Sequence, residues 1–146
     1  MLAIDGWIGG ATGNWNVAAN WDNGIPTSTS DVSITGSVTV TSSSSTGIDG
    51  LTVGAGANLI IDNSGIQVAN TGGVTDNGTI DIGDSSTYGA LQFSGTQTLS
   101  GSGSVVFGSG EDNVLDLTTD SSTLTVGPNI IIRGAQGGVG TNVHGT

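Results

Sequence analysis

Gly78-Thr-Ile-Asp-Ile-Gly83 and Gly103-Ser-Val-Val-Phe-Gly108 are one pattern written twice, 25 residues apart. Each begins and ends in glycine and encloses four residues in which β-branched or aromatic side chains recur at every second position. The stretch that follows, Ala90-Leu-Gln-Phe93, returns as Val114-Leu-Asp-Leu117 at an offset of 24. Leu51-Thr-Val-Gly54 recurs unchanged as Leu124-Thr-Val-Gly127, 73 residues on, close to three such periods. Gly36-Ser-Val-Thr-Val40 and Ala57-Asn-Leu-Ile-Ile61 extend the series with a spacing of 21. A period of this size carrying two or three short strands is the mark of a β-solenoid.

Further runs keep the same two-residue alternation: Val32-Ser-Ile34, Ile66-Gln-Val68 and Ile130-Ile-Ile132. Apolar stripes at helical spacing are missing, and glycine every few residues disfavours helix. Gly, Thr, Ser, Asn and Asp supply 87 of the 146 residues, which on its own reads as linker. Val, Ile, Leu and Phe nevertheless total 36, enough for a β-rich core. Stacked coils reconcile the two. One coil cannot bury its own apolar side chains, but a stack about 4.8 Å per rung buries a continuous column, and its corners require glycine, Asn or Asp.

The expected fold is therefore all-β, a right-handed parallel β-helix of about five coils. Residues 1–30 hold Trp7, Trp15 and Trp21 and are read as an N-terminal cap over the first coil, whose open edge would otherwise invite association. Residues 31–146 are read as the coils. Expected inward positions are Val38, Val40, Leu51, Val53, Leu59, Ile61, Ile80, Ile82, Leu91, Phe93, Val105, Phe107, Leu115, Leu117, Leu124, Val126, Ile130 and Ile132. Met1-Leu-Ala-Ile-Asp-Gly6 lacks the basic and apolar segments of a signal peptide, and the chain is expected to be a piece of a longer one.

Charge narrows the function. Eleven Asp and one Glu oppose a single basic residue, Arg133, for a net charge of −11. Phosphate neutralisation needs a Lys/Arg patch, so nucleic-acid binding is not expected, and neither is adsorption to anionic lipid. No run reaches the roughly 20 apolar residues of a membrane span, so no membrane insertion is expected. Without cysteine there is no disulfide, thiolate or Cys-based zinc chemistry.

Trp7-Ile-Gly-Gly-Ala-Thr-Gly-Asn-Trp15, Asn20-Trp-Asp-Asn-Gly-Ile-Pro26 and Asp31-Val-Ser-Ile34 together resemble the opening of large bacterial extracellular β-helix repeat proteins, the autotransporter passenger-like and filamentous-haemagglutinin-like adhesins. Gly95-Thr-Gln-Thr-Leu-Ser-Gly-Ser-Gly-Ser-Val-Val-Phe107 and Leu124-Thr-Val-Gly-Pro-Asn-Ile-Ile-Ile-Arg-Gly134 are similar to their coils. The resemblance implies a right-handed parallel β-helix, export, and a role in adhesion, biofilm or surface display. Related solenoids include polysaccharide-cleaving enzymes, whose catalytic clusters this chain lacks.

No catalytic residue is assigned. His144 is the only histidine and reads as a tail residue rather than a general base. Asp81 with Asp84, and Glu111 with Asp112, are near pairs of carboxylates, while Asp81 and Asp116 alternate with aliphatic neighbours and are expected to point outward into a solvated face. Asp22-Asn-Gly24, Asp62-Asn-Ser-Gly65, Asp76-Asn-Gly78 and Glu111-Asp-Asn113 read first as turns. No metal ligand and no cofactor are assigned, though these pieces leave room for one structural calcium ion. Trp7, Trp15 and Trp21 are the candidate ligand-binding residues, as sugar-stacking platforms, against their reading as a cap. The pairs Thr27/Thr29, Thr39/Thr41, Thr96/Thr98 and Thr123/Thr125 raise an ice-binding reading but skip coils.

The expected function is a structural or adhesive segment of a secreted or surface-displayed bacterial protein, a rigid rod or fibre-forming unit rather than an enzyme. Its partners would be further copies of itself, or a host or matrix glycan or protein, outside the cell or on its surface. A carbohydrate-binding or polysaccharide-acting β-helix module is the alternative, and an ice-binding or calcium-dependent surface protein the second.

Overall fold

Each apolar run is cut after a few residues by glycine or a short polar pair, so the chain makes short strands and turns a corner after each. A computed structural model describes residues 3–141. The first coil carries β1 (Ala3–Gly6) and β2 (Thr12–Asn14), and the second β3 (Ser30–Ile34) and β4 (Thr39–Ser42). The third carries β5 (Thr46–Val53) and β6 (Asn58–Ile61), and the fourth β7 (Ser64–Asp76) and β8 (Thr79–Ile82). The fifth holds β9 (Gly89–Phe93), β10 (Gln97–Gly101) and β11 (Ser104–Phe107). The sixth holds β12 (Val114–Leu117), β13 (Leu124–Val126) and β14 (Ile131–Gly134), after which β15 (Gly138–Thr141) opens another turn. Every pairing among these strands is parallel. The result is a β-solenoid of about six turns, one more than the sequence period suggested. The additional turn is the tryptophan segment, whose β1 and β2 pair with β3 and β4 as a rung of the stack.

Three faces result. On the first, β1, β3, the end of β5, the end of β7, β10 and β13 stack in order. The second is β2-β4-β6-β8-β11-β14. The third begins at the start of β5 and continues through the start of β7, β9, β12 and β15. Inward side chains form unbroken columns. The second face contributes Val40, Leu59, Ile80, Val105 and Ile132, and the third Ile66, Leu91 and Leu115. Nearly all of these are sealed from solvent, each buried aliphatic side chain contributing about 1.5–3 kcal/mol.

The expected inward positions are buried from Val40 through Leu115, whereas Val38, Leu117, Leu124, Ile130 and Ile132 are half-buried against the core. Val126 departs from expectation and is 38% exposed. Its column is right: Val32, Leu51, Val74, Leu99 and Val126 are in register. Among the described residues no strand lies beyond β13 on that face, so the last member of the column is uncovered. The repeated Leu-Thr-Val-Gly also proves to be two residues out of step, since Leu124 pairs with Gln97 and Leu51 shares its column with Val126.

The tryptophan segment fills the head of the axis. Trp7 and Trp21 meet edge to face with ring centres 5.1 Å apart, and Trp15 and Trp21 at 4.9 Å. Trp21 Nε1 donates to the Trp15 carbonyl at 2.8 Å, and Trp7 Nε1 to the Gly10 carbonyl at 3.2 Å. Glycine is required here: a Cβ on Gly13 would lie 2.9 Å from the Trp7 ring.

One column contains a carboxylate. Ile34, Val53, Asp76 and Gly101 are in register, so Asp76 occupies the place of a core aliphatic. Its Oδ1 accepts the Gly78 N–H at 2.9 Å, while its buried Oδ2 has no partner. A Cβ on Gly103 would sit 2.5 Å from the Asp76 carboxyl, so the next coil makes room for it by having no side chain there. Burial pushes the Asp76 carboxyl up to about 6, against the pull of the Gly78 N–H.

Candidate functional site

The corner between the second and third faces is where the chain adds residues. Below and above it the turn is short, 62–63 between β6 and β7 and 135–137 between β14 and β15. The two coils between them use six residues each, 83–88 and 108–113. The longer loops line an open, shallow recess of about 510 Å³ with Asn63, Ser86, Tyr88, Glu111, Asp112 and Gln136 among its residues.

Two buried or ionised side chains hold these loops. Asp84 Oδ1 accepts the Ser86 N–H at 2.6 Å and the Thr87 N–H at 2.9 Å. Those bonds and the Ser86 and Thr87 hydroxyls hold the Asp84 carboxyl below its ordinary range, so it is charged. The Thr87 hydroxyl also donates to Asp62 Oδ1 at 2.6 Å, joining the loop to the coil before it. Asn113 is 1% exposed. Its Oδ1 accepts the Gly89 N–H at 2.9 Å, and its Nδ2 reaches the Gly110 carbonyl at 2.9 Å and the Gln136 carbonyl at 3.2 Å. One side chain thus fastens the corners of three successive coils. Gly83, at φ +65, lies so close to Asn113 that any side chain there would strike its amide.

The recess contains two of the three non-glycine residues with left-handed backbone among those described, Asn63 at φ 47 and Asp112 at φ 64. Tyr88 is 41% exposed at its rim. A rigid loop scaffold, an exposed ring and amide, hydroxyl and carboxylate groups are together a surface for a polar ligand. Nothing in the repeat pattern pointed to this corner. The signals in the sequence were the neighbouring carboxylates Glu111 and Asp112 and a lone tyrosine in a loop otherwise made of Gly, Ser, Thr and Asp.

Of the residues singled out from the sequence, Glu111 and Asp112 line this recess and Asp84, Asp62 and Asn113 hold its wall, whereas the others lie elsewhere. Trp7, Trp15 and Trp21 are buried in the axis, which leaves none of them as an open stacking platform. Asp81 is on β8, where its Oδ2 accepts a hydrogen bond from Asn58 Nδ2 at 3.0 Å. Asp116 stays on the outward ladder behind Gln67 and Gln92 but is only 4% exposed. His144 lies outside the described residues. Of the Asx turns, Asp22 Oδ1 accepts the Gly6 N–H, Asp62 takes the Thr87 hydroxyl, and Asp76 is in the core. Among the described residues no three acidic or histidine side chains come close enough together to hold a metal ion. Thr39 and Thr41 are on β4, whereas Thr98 and Thr125 pair on the first face, so the threonine pairs do not share one lattice.

The chain matches no protein-family model, no curated protein and no solved structure.

Proposed function

We propose that this chain is a rigid structural segment of a secreted or surface-displayed bacterial protein of the adhesin type, a rod that carries contacts rather than chemistry. The observation that supports it is the continuous parallel stacking of about six turns around one apolar axis. Such a stack is stiff because each coil is hydrogen-bonded along its length to the next. A surface with net charge −11 keeps neighbouring rods from sticking side by side.

A one-coil deletion tests this reading. Thr39 and Asn58 occupy the same place in successive coils, so joining Val38 to Asn58 removes one turn, keeps the register and leaves the corner recess in place. The shortened protein, in its natural chain and cell, is expected to fold, to reach the cell surface by immunogold labelling, and to keep most attachment. Retention of the intact protein inside the cell would refute the reading. So would complete loss of attachment by a folded, displayed deletion, which would mean that a single discrete site does the work.

A further inference from the structure

We propose that the recess at the corner of the second and third faces binds a saccharide that bears protonated amino groups. The recess is lined by the Glu111 and Asp112 carboxylates, which only accept hydrogen bonds, and otherwise by amides and hydroxyls such as Asn63, Ser86 and Gln136, which both donate and accept. Its complement is therefore a polyhydroxy ligand, whose hydroxyls also donate and accept. Tyr88 supplies the apolar element. Its ring is substantially exposed, and a flat ring with a polar tip suits the C–H face of a sugar and attracts a cation held nearby.

Charge selects among sugars. Glu111 and Asp112 line the recess, Asp84 and Asp62 secure its wall, and the chain has one Lys or Arg, Arg133, on β14. The Asp84 carboxyl, held by two backbone N–H groups, is charged at any ordinary pH. An ammonium group on the ligand meets this field favourably, whereas a uronate, sulfate or phosphate is repelled. Preorganisation completes the case. Asn113 and Asp84 fix the loops before any ligand arrives, so little ordering is left for binding to accomplish. This site does not depend on the rod reading: the corner exists whether or not the chain is displayed on a cell, and its failure leaves the coil-deletion result untouched.

Calorimetry on the whole chain with three hexasaccharides tests the proposal: glucosamine, fully N-acetylated glucosamine, and galacturonate. The glucosamine oligomer is expected to bind, the N-acetylated one more weakly, and the galacturonate not at all. Tyr88→Ala should weaken glucosamine binding about fivefold. Glu111→Gln should weaken it about threefold at low salt, with the difference shrinking at high salt. Both side chains are at the surface, and an unchanged circular-dichroism melt shows that each variant is folded. Equal affinity for all three sugars, no binding at millimolar concentration, or binding indifferent to both substitutions would each overturn the proposal. A calcium titration supplies a further arm: sugar binding that appears only with calcium would replace the ammonium by a bridging metal and overturn it as well.

Discussion

Asp76→Asn should make this protein more stable at pH 8 while leaving it nearly unchanged at pH 4.5. The folded carboxyl titrates near 6, against an ordinary value of 3.8. The shift of about two units means that holding Asp76 ionised in the core costs the fold about 3 kcal/mol. The folded value is the raised one, so the fold is favoured below about pH 4, and that advantage is lost as the pH rises through 6. Asparagine keeps the size of the side chain and the acceptor for the Gly78 N–H and removes the charge. Its unpaired amide hydrogens then stand where the unpaired hydroxyl of the protonated acid would be. Urea denaturation followed by far-ultraviolet circular dichroism, on wild type and variant at both pH values, gives the difference of differences. That quantity cancels the general effect of net charge, which both proteins share. The expected result is a variant about 3 kcal/mol more stable than wild type at pH 8 and within about 1 kcal/mol of it at pH 4.5. An equal gap at the two pH values would mean that Asp76 ionises as a solvated carboxylate does, and its place in the core column would be refuted.

The column on the first face predicts unequal costs for similar truncations. Leu99→Ala, in the sealed part, should lose about 2–5 kcal/mol, and Val126→Ala, at the uncovered end, less than about 1 kcal/mol, both by urea denaturation. Gly103→Ala should cost about 1–3 kcal/mol because the new methyl meets the Asp76 carboxyl. In an Asp76→Ala background most of that cost should disappear, and a double-mutant cycle reads the difference. Asp84 acts in the opposite sense to Asp76. Its lowered folded value gives stability that is present above the ordinary carboxylate range and is lost as the pH falls through the folded value, so Asp84→Asn should flatten the acid limb of a thermal melt.

Much of the architecture was written in the chain. The offset of 25 between Gly78–Gly83 and Gly103–Gly108 is the register of β8 on β11, and the offset of 24 is that of β9 on β12. What misled was equating the 73-residue offset between the two copies of Leu-Thr-Val-Gly with three whole periods. Along the column from Leu51 through Val74 and Leu99 to Val126 the spacing grows, and the two copies of Leu-Thr-Val-Gly fall out of step. Asp76 was hidden for a local reason: Asp-Asn-Gly is a good turn, and the residue does accept the N–H two places on, as a turn residue would. Only the neighbouring coil exposes its second role, with Gly101 and Gly103 placed where a column of aliphatics would otherwise continue. The corner recess was legible only in its carboxylates, Glu111 and Asp112, because repeat analysis weighs what recurs. Its loops, its lone tyrosine and the asparagine beneath them are departures from the repeat.

The ladder Thr12, Thr39, Asn58, Thr79, Ser104 and Ile131 climbs one rung at a time although its members are 19 to 27 residues apart in the chain. Height is set by strand pairing, at about 4.8 Å per turn, and surplus residues are displaced sideways. Axial reach and lateral decoration are thus separate variables in this molecule. A gene could lengthen a corner to acquire a new recognition surface without altering how far the tip stands from its base.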